Sequence, residues 1–221
     1  MKKQPALIMK TSSASFSVID RENMLNKINE IRSQINGKCP NIYLLHGDFT
    51  DEEMNGLYNH PKVKAHVSFT HGEGFGRPLL EASISGKPVI ASNWSGHVDF
   101  LDSKYSVPLD GVLTKVQKGS FPDQFFVDGS EWFTVHYQKA SQTFRKIYRS
   151  YKKYTASAKK LSNINTKKFS LDAMTVELGK ILDKYVSDFP QQVTLELPKL
   201  KKVGSDNDTP AKIKLPKLKK V

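Results

Sequence analysis

A chain of 221 residues, 38% hydrophobic and 25% charged, has a globular make-up and enough length to bury one ordinary core. Its single cysteine, Cys39, excludes an intrachain disulfide and makes a reducing, cytoplasmic compartment the expectation, while no apolar run nears the roughly 20 residues that span a bilayer. The net charge of +12 is lopsided: residues 1–138 hold 14 basic and 15 acidic side chains, residues 139–168 hold 10 basic and none acidic, so a nucleic-acid surface is not expected in the first part.

In chain order, "ALIMK" (6–10) has the length and apolar character of a strand, too short for a secretory h-region. Asp20 is placed to cap a helix carrying Met24, Leu25, Ile28, Ile31 and Ile35 at helical spacing, with Gly37 at its end. "NIYLLHG" (41–47) reads as a second strand closing in a glycine turn. Thr50 then caps a short helix with acids in its first turn and Pro61 beyond its end. "VKAHVSFTHG" (63–72) is a third strand, 77–85 a helix and "KPVIAS" a fourth strand. "KYSVPLDGVLTKV" predicts a further strand or hairpin, and 130–188 reads as helical throughout, with Ser170 capping the last helix. Alternating strands and helices predict an α/β fold with a parallel sheet. The tail repeats "LPKLKKV" at 197–203 and 215–221 around a polar linker, a pattern of disorder.

The stretch "HGEGFGRPLLEASISGKPVIAS" (71–92) carries the chemistry. A parallel strand runs out before it and a helix starts near Arg77, and ligands of α/β sheets bind beyond the carboxyl ends of the strands. Its glycines let backbone approach a ligand closely, Pro78 suits a first helical turn, and the unpaired N–H groups there favour an anion such as a diphosphate. Glu73 in the loop and Glu81 on the helix would be repelled by that anion unless they serve other groups, and sugar hydroxyls are natural partners of a carboxylate. The spacing fits neither a dinucleotide G-x-G-x-x-G nor a Walker loop.

E-G-F-G-x-P-x-x-E followed by A-x-x-x-G-x-P-V-I-A-S closely resembles the donor-binding, C-terminal half of retaining GT-B glycosyltransferases of the group 1, or family-four, type. Glu73 and Glu81 match the E-x7-E signature of that family. The resemblance implies a Rossmann-like parallel sheet with helices on both faces, one half of a GT-B fold, with C-terminal helices, all over residues 1–188; the basic tail at 189–221 is read as disordered from its composition. It implies transfer of a sugar from a nucleoside diphosphate sugar, with Glu73 as the catalytic carboxylate beside the reacting carbon. Gly74, Phe75 and Gly76 would meet sugar and phosphate, Glu81 the ribose hydroxyls, and Gly47 would lie near the base. Lys10, at the end of the first strand, and Arg77 are candidates for the cation facing the diphosphate. No bound metal or other cofactor is implied, and the one D-x-D, Asp206-Asn207-Asp208, falls in the tail.

Against the family pattern, the acceptor domain and the first strand–helix unit of the donor half are not recognisable. An orphan binding domain, a subunit completed by a separate acceptor-domain chain, and a basic membrane- or polyanion-binding protein are the alternative readings. Six scattered histidines lack the spacing of a zinc site; His71 opens the loop, and Trp94 and His97 follow the fourth strand. Tyr148, Tyr151 and Tyr154 among the cations of 139–168 suit either inward packing or peripheral contact with an anionic membrane.

Overall fold

The computed structural model describes residues 5–12, 16–120 and 127–186. Contacts divide the chain into a first unit ending at Glu177 and a second beginning at Leu178. A boundary after residue 188, and the disorder expected of 189–221, lie outside the described residues.

In the first unit, β1 (Leu7–Lys10) pairs parallel with β2 (Ile42–Leu45), and α1 (Val18–Ser33) connects them. A second parallel sheet has the order β3 (His66–Ser68), β4 (Val89–Ser92), β5 (Val107–Leu109). Helix α2 (Asp51–Asn59) leads into β3, and α3 (Arg77–Ile84) crosses from β3 to β4. β6 (Gly111–Lys115) and β7 (Glu131–Val135) form an antiparallel ribbon, followed by α4 (Tyr137–Arg149) and α5 (Tyr151–Lys168); α6 (Leu171–Tyr185) contains the boundary between the units.

β4 holds the centre. Its four residues, Val-Ile-Ala-Ser, are all buried, as a strand covered on both faces requires. The pleat sends Val89 and Ala91 to one cluster, with Tyr58 of α2, Leu79 and Ala82 of α3, and Leu161 of α5. Ile90 goes to the other, with Val107, Leu109, Phe133, Val135, Ala140 and Ile147. Helices thus cover both faces, the Rossmann-like arrangement expected. Each fully buried Val, Leu or Ile contributes about 1.5–3 kcal/mol, so the sheet beneath the glycine loop is the firm part of the unit.

Two local expectations are corrected. Residues 131–135, "EWFTV", are strand rather than helix: Phe133 and Val135 are buried while Glu131 is exposed, and aromatic and β-branched residues favour the pleat. Ser17, not Asp20, caps α1, its hydroxyl accepting from the Asp20 N–H at 3.1 Å. Asp20 instead turns its carboxylate inward to His46 Nε2 at 2.7 Å, both side chains almost fully buried. Thr50 caps α2 in a complete capping box with Glu53, as its sequence suggests. Ser170 accepts from the Ala173 N–H at 3.2 Å. Among the described residues no helix is long and apolar enough to cross a membrane.

Candidate functional site

The chain leaves β3 at Ser68 and enters α3 at Arg77. Gly76 makes the transition in the left-handed region, φ +86, where a side chain would be strained. A Cβ there would also sit 3.1 Å from His97 Cβ, so the residue is glycine on two counts. No side chain caps α3. The Gly76 carbonyl accepts from the N–H groups of Leu79 at 2.9 Å and Leu80 at 3.1 Å, and Pro78 has no N–H to offer. The positive end of the helix is left open to an anion in the loop.

The loop is braced from behind by the segment after β4. Ser95 Oγ accepts from the Glu73 N–H at 3.1 Å and donates to the Glu73 carbonyl at 2.7 Å. That carbonyl also accepts from the Gly96 N–H at 3.0 Å. Ser95 holds φ +77, a conformation costing a non-glycine residue on the order of 1–3 kcal/mol and maintained only where the surroundings dictate it. Gly96 passes so near the loop that a Cβ would lie 2.0 Å from the Gly74 carbonyl oxygen. His97, fully buried, donates from Nε2 to the Ser92 carbonyl at 2.6 Å, tying the brace to the end of β4.

The two carboxylates differ. Glu73 is half-buried, and its carboxylate makes no hydrogen bond or ion pair among the described residues. Glu81 is held: Arg77 Nε donates to its Oε1 at 2.6 Å, one helical turn away. The other arm of the guanidinium reaches Asp51 Oδ1 at 2.9 Å, at the first residue of α2. Arg77 thus links the helix starts that follow β2 and β3, and it faces Glu81 and Asp51 with its charge-bearing edge. The two acids raise its affinity for its proton, the Glu81 hydrogen bond most. Beneath them Tyr58 is buried, and its hydroxyl is pushed up to about 12, by burial first and by the Glu81 charge second.

Lys10 and Gly47 fall at the carboxyl ends of β1 and β2. The Lys10 ammonium stands 5.6 Å from the centre of the Phe49 ring, and Gly47 has φ +142 with Phe49 beside it. Gly74 is open to its surroundings. Phe75 is half-exposed, its ring 5.2 Å from Phe100 and 5.9 Å from Phe169. His71 is fixed by the ribbon. Its ring lies parallel to Trp132 with centroids 3.9 Å apart, and its Nδ1 donates to the Phe133 carbonyl at 2.6 Å. Trp94 stacks on Phe133 at 5.7 Å.

The structure therefore gathers Glu73, Gly74, Phe75, Gly76, Arg77 and Glu81 at one strand-to-helix turn, and places Lys10 and Gly47 at the carboxyl ends of β1 and β2, in a separate sheet. Sequence reasoning missed Ser95 and Gly96, Asp51, and Trp132 with Phe133. The "SG" after "NW" was the available signal for the brace; nothing in the spacing pointed from 132–133 to His71. Among the described residues no three of His, Cys, Asp and Glu come together as metal ligands.

Comparison with known proteins bears on this arrangement. Residues 17–118 match the family model of glycosyl transferases group 1. The chain is similar in fold to Anabaena HepE in complex with UDP and glucose, with 13% identity and a TM-score of 0.56 over 81% of this chain and 40% of that one. The complex of the same protein with UDP-glucose matches with 13% identity and a TM-score of 0.55, over 81% and 41%. A glycosyltransferase from Rickettsia africae matches with 18% identity and a TM-score of 0.54, over 85% and 42%. The chain thus spans about two fifths of the length of these solved structures. No curated protein matches the sequence. The architecture is that of one half of a GT-B glycosyltransferase fold, and the glycine loop lies inside the segment that matches the group 1 family.

Proposed function

Taking the group 1 glycosyl transferase match of residues 17–118 as the premise, we propose that this chain is the sugar-donor-binding, C-terminal half of a retaining glycosyltransferase. Its substrate is a nucleoside diphosphate sugar. The observation that carries the reading is the pair of carboxylates bracketing an uncapped helix start: Glu73 unpaired on one side, Glu81 held by Arg77 on the other. The diphosphate sits at the backbone of Gly74, Phe75 and Gly76, where the α3 dipole offsets its charge. Glu81 accepts from the ribose hydroxyls through the oxygen that Arg77 does not use, and Arg77 keeps it aimed. Glu73 lies against the sugar and offsets the positive charge that develops at the reacting carbon. Lys10 supplies a cation from the end of β1, with Gly47 near the base. The reading needs no metal to neutralise the diphosphate. The half-exposed ring of Phe75 gives the bound sugar an apolar floor.

Calorimetric titration of the full chain with UDP, GDP, ADP and UDP-glucose tests the proposal. One nucleotide is expected to bind. Glu81→Gln removes charge-assisted hydrogen bonds worth about 1.5–3 kcal/mol and is expected to weaken UDP and UDP-glucose alike, by roughly 10- to 100-fold. Glu73→Gln is expected to weaken or inactivate the sugar nucleotide while leaving free UDP unchanged. Equal affinity of wild type and Glu81→Gln would remove the ribose assignment, and silence with every nucleotide would remove the function.

A further inference from the structure

The seam of α4 and α5 against the core runs Ala140, Phe144, Ile147, Tyr151, Tyr154, Ala158, Leu161, Asn165, alternating steps of four and three. On the outward side the lysines repeat at an unbroken seven: Lys139, Lys146, Lys153, Lys160 and Lys167. Arg145, Lys152 and Lys159 precede three of them by one residue. All eight are exposed. Seven residues advance a helix by roughly 10 Å, so Lys139 and Lys146 on α4 stand about 10 Å apart and Lys153 to Lys167 on α5 extend over about 20 Å. Successive lysines stand about one Debye length apart at physiological salt, so each acts almost independently.

An ordinary solvated helix mixes signs and gains from Glu–Lys pairs one turn apart. Here 30 residues carry ten cations and no acid. Among the described residues only Lys139 of the row lies within 4 Å of a carboxylate, that of Asp110 at 3.9 Å. The like charges destabilise the helix slightly in isolation, and the seam, not the surface, holds it in place. The row runs over two successive helices that meet at Ser150, whose backbone is not helical (φ −119, ψ 33). Tyr151 and Tyr154 pack against the core, and the exposed Tyr137 and Tyr148 stand about 16 Å apart along α4, too far to stack successive bases as single-stranded nucleic acid requires. Between Lys152 and Lys159 lies a shallow depression of about 320 Å³, floored by Thr155 and Ala156. An outward row of long flexible cations carried by both helices fits an extended anionic surface such as a bilayer.

We infer that α4 and α5 form a docking surface for an anionic lipid bilayer, with Lys146, Lys153 and Lys160 at its centre. The two helices lie along the headgroups without insertion, and lipid phosphates meet the ammonium groups. The surface uses none of the glycine-loop residues, and the inference holds whether or not the chain transfers sugar. The test is co-sedimentation of the full chain with phosphatidylcholine vesicles, pure or doped with phosphatidylglycerol. Binding is expected only to the doped vesicles and is expected to fall as salt rises. Each cation at such a surface is worth roughly a fivefold change in partitioning, so Lys146→Gln, Lys153→Gln and Lys160→Gln together are expected to lower it about 100-fold, with wild-type helicity by circular dichroism. The control combines Lys62→Gln, Lys104→Gln and Lys118→Gln, equally exposed and outside the two helices, and is expected to change it less than about threefold. Equal loss in both variants would reduce the effect to net charge and overturn the inference. So would an absence of vesicle binding, or binding of a single-stranded RNA oligonucleotide that the row variant alone abolishes while vesicles stay unbound.

Discussion

Substitution of Gly96 by alanine tests whether the glycine loop owes its shape to the segment behind it. The new Cβ would sit 2.0 Å from the Gly74 carbonyl oxygen and 2.9 Å from that of Glu73. Both obstacles are backbone, so no rotamer relieves them, and the two segments must part by about 1 Å. Three hydrogen bonds span that gap: Gly96 N–H to Glu73 O at 3.0 Å, Glu73 N–H to Ser95 Oγ at 3.1 Å, and Ser95 Oγ to Glu73 O at 2.7 Å. At about 0.5–1.5 kcal/mol each, their loss costs about 2–4 kcal/mol. For a chain of this length that lowers Tm by about 5–10 °C. Glu73 moves with its backbone, and misplacement of about 1 Å at a site is enough to cost roughly 100-fold in function. Differential scanning fluorimetry and calorimetry with UDP-glucose measure the two effects. Ser95→Ala provides the graded comparison: it removes two of the bonds without a clash and is expected to fall between wild type and Gly96→Ala. A Gly96→Ala protein that melts within about 2 °C of wild type and binds the same nucleotide equally well would refute the argument that the brace shapes the loop.

Arg77→Lys is expected to leave Tm within about 2–3 °C, because exposed ion pairs contribute about 1 kcal/mol or less, yet to weaken nucleotide binding several-fold, since a lysine cannot hold Glu81 and Asp51 at once; calorimetry beside a melting curve separates the two. Asn165→Ala strips the Phe100 carbonyl and Ser83 Oγ of the amide that serves them at 3.1 Å and 2.8 Å in the core; a loss of about 2–3 kcal/mol is expected in urea unfolding. His66 is pushed below the usual histidine range by burial. The unfolded chain, with its histidine near pKa 6.5, therefore takes up a proton that the folded one refuses, and stability falls as pH drops through about 6.5 until the folded group also titrates. His66→Phe, which keeps an aromatic edge against Tyr58, is expected to flatten the slope of Tm between about pH 5.5 and 7.5.

Much of this was legible from residue order alone. β4 and α3 declared themselves because an apolar tetrad and a Gly-Arg-Pro helix start leave little choice, and Thr50, the acids after it and Pro61 marked α2. The glycine turn and its two glutamates were readable because a local motif carries its own geometry. The brace was not: Ser95 and Gly96 meet the loop from 22 residues away, and a close backbone approach leaves no periodicity behind it. β7 was hidden for a different reason. Its five residues run straight into α4, and the helical pattern downstream absorbed a strand whose alternation covers barely two periods. Asp20 looked like a cap because acids so often are; its real partner, His46, is brought by the second strand.

The α4–α5 seam joins what the sheet separates. Its first half, through Ala140 and Ile147, belongs to one side of β4, and Leu161 and Asn165 belong to the other. Such an element works as a strap across the central strand. Neither side of the core can loosen without dragging on the fastening of its neighbour, so the two melt as one event, and strain arriving at the outer surface of the strap is felt on both sides of the central strand at once.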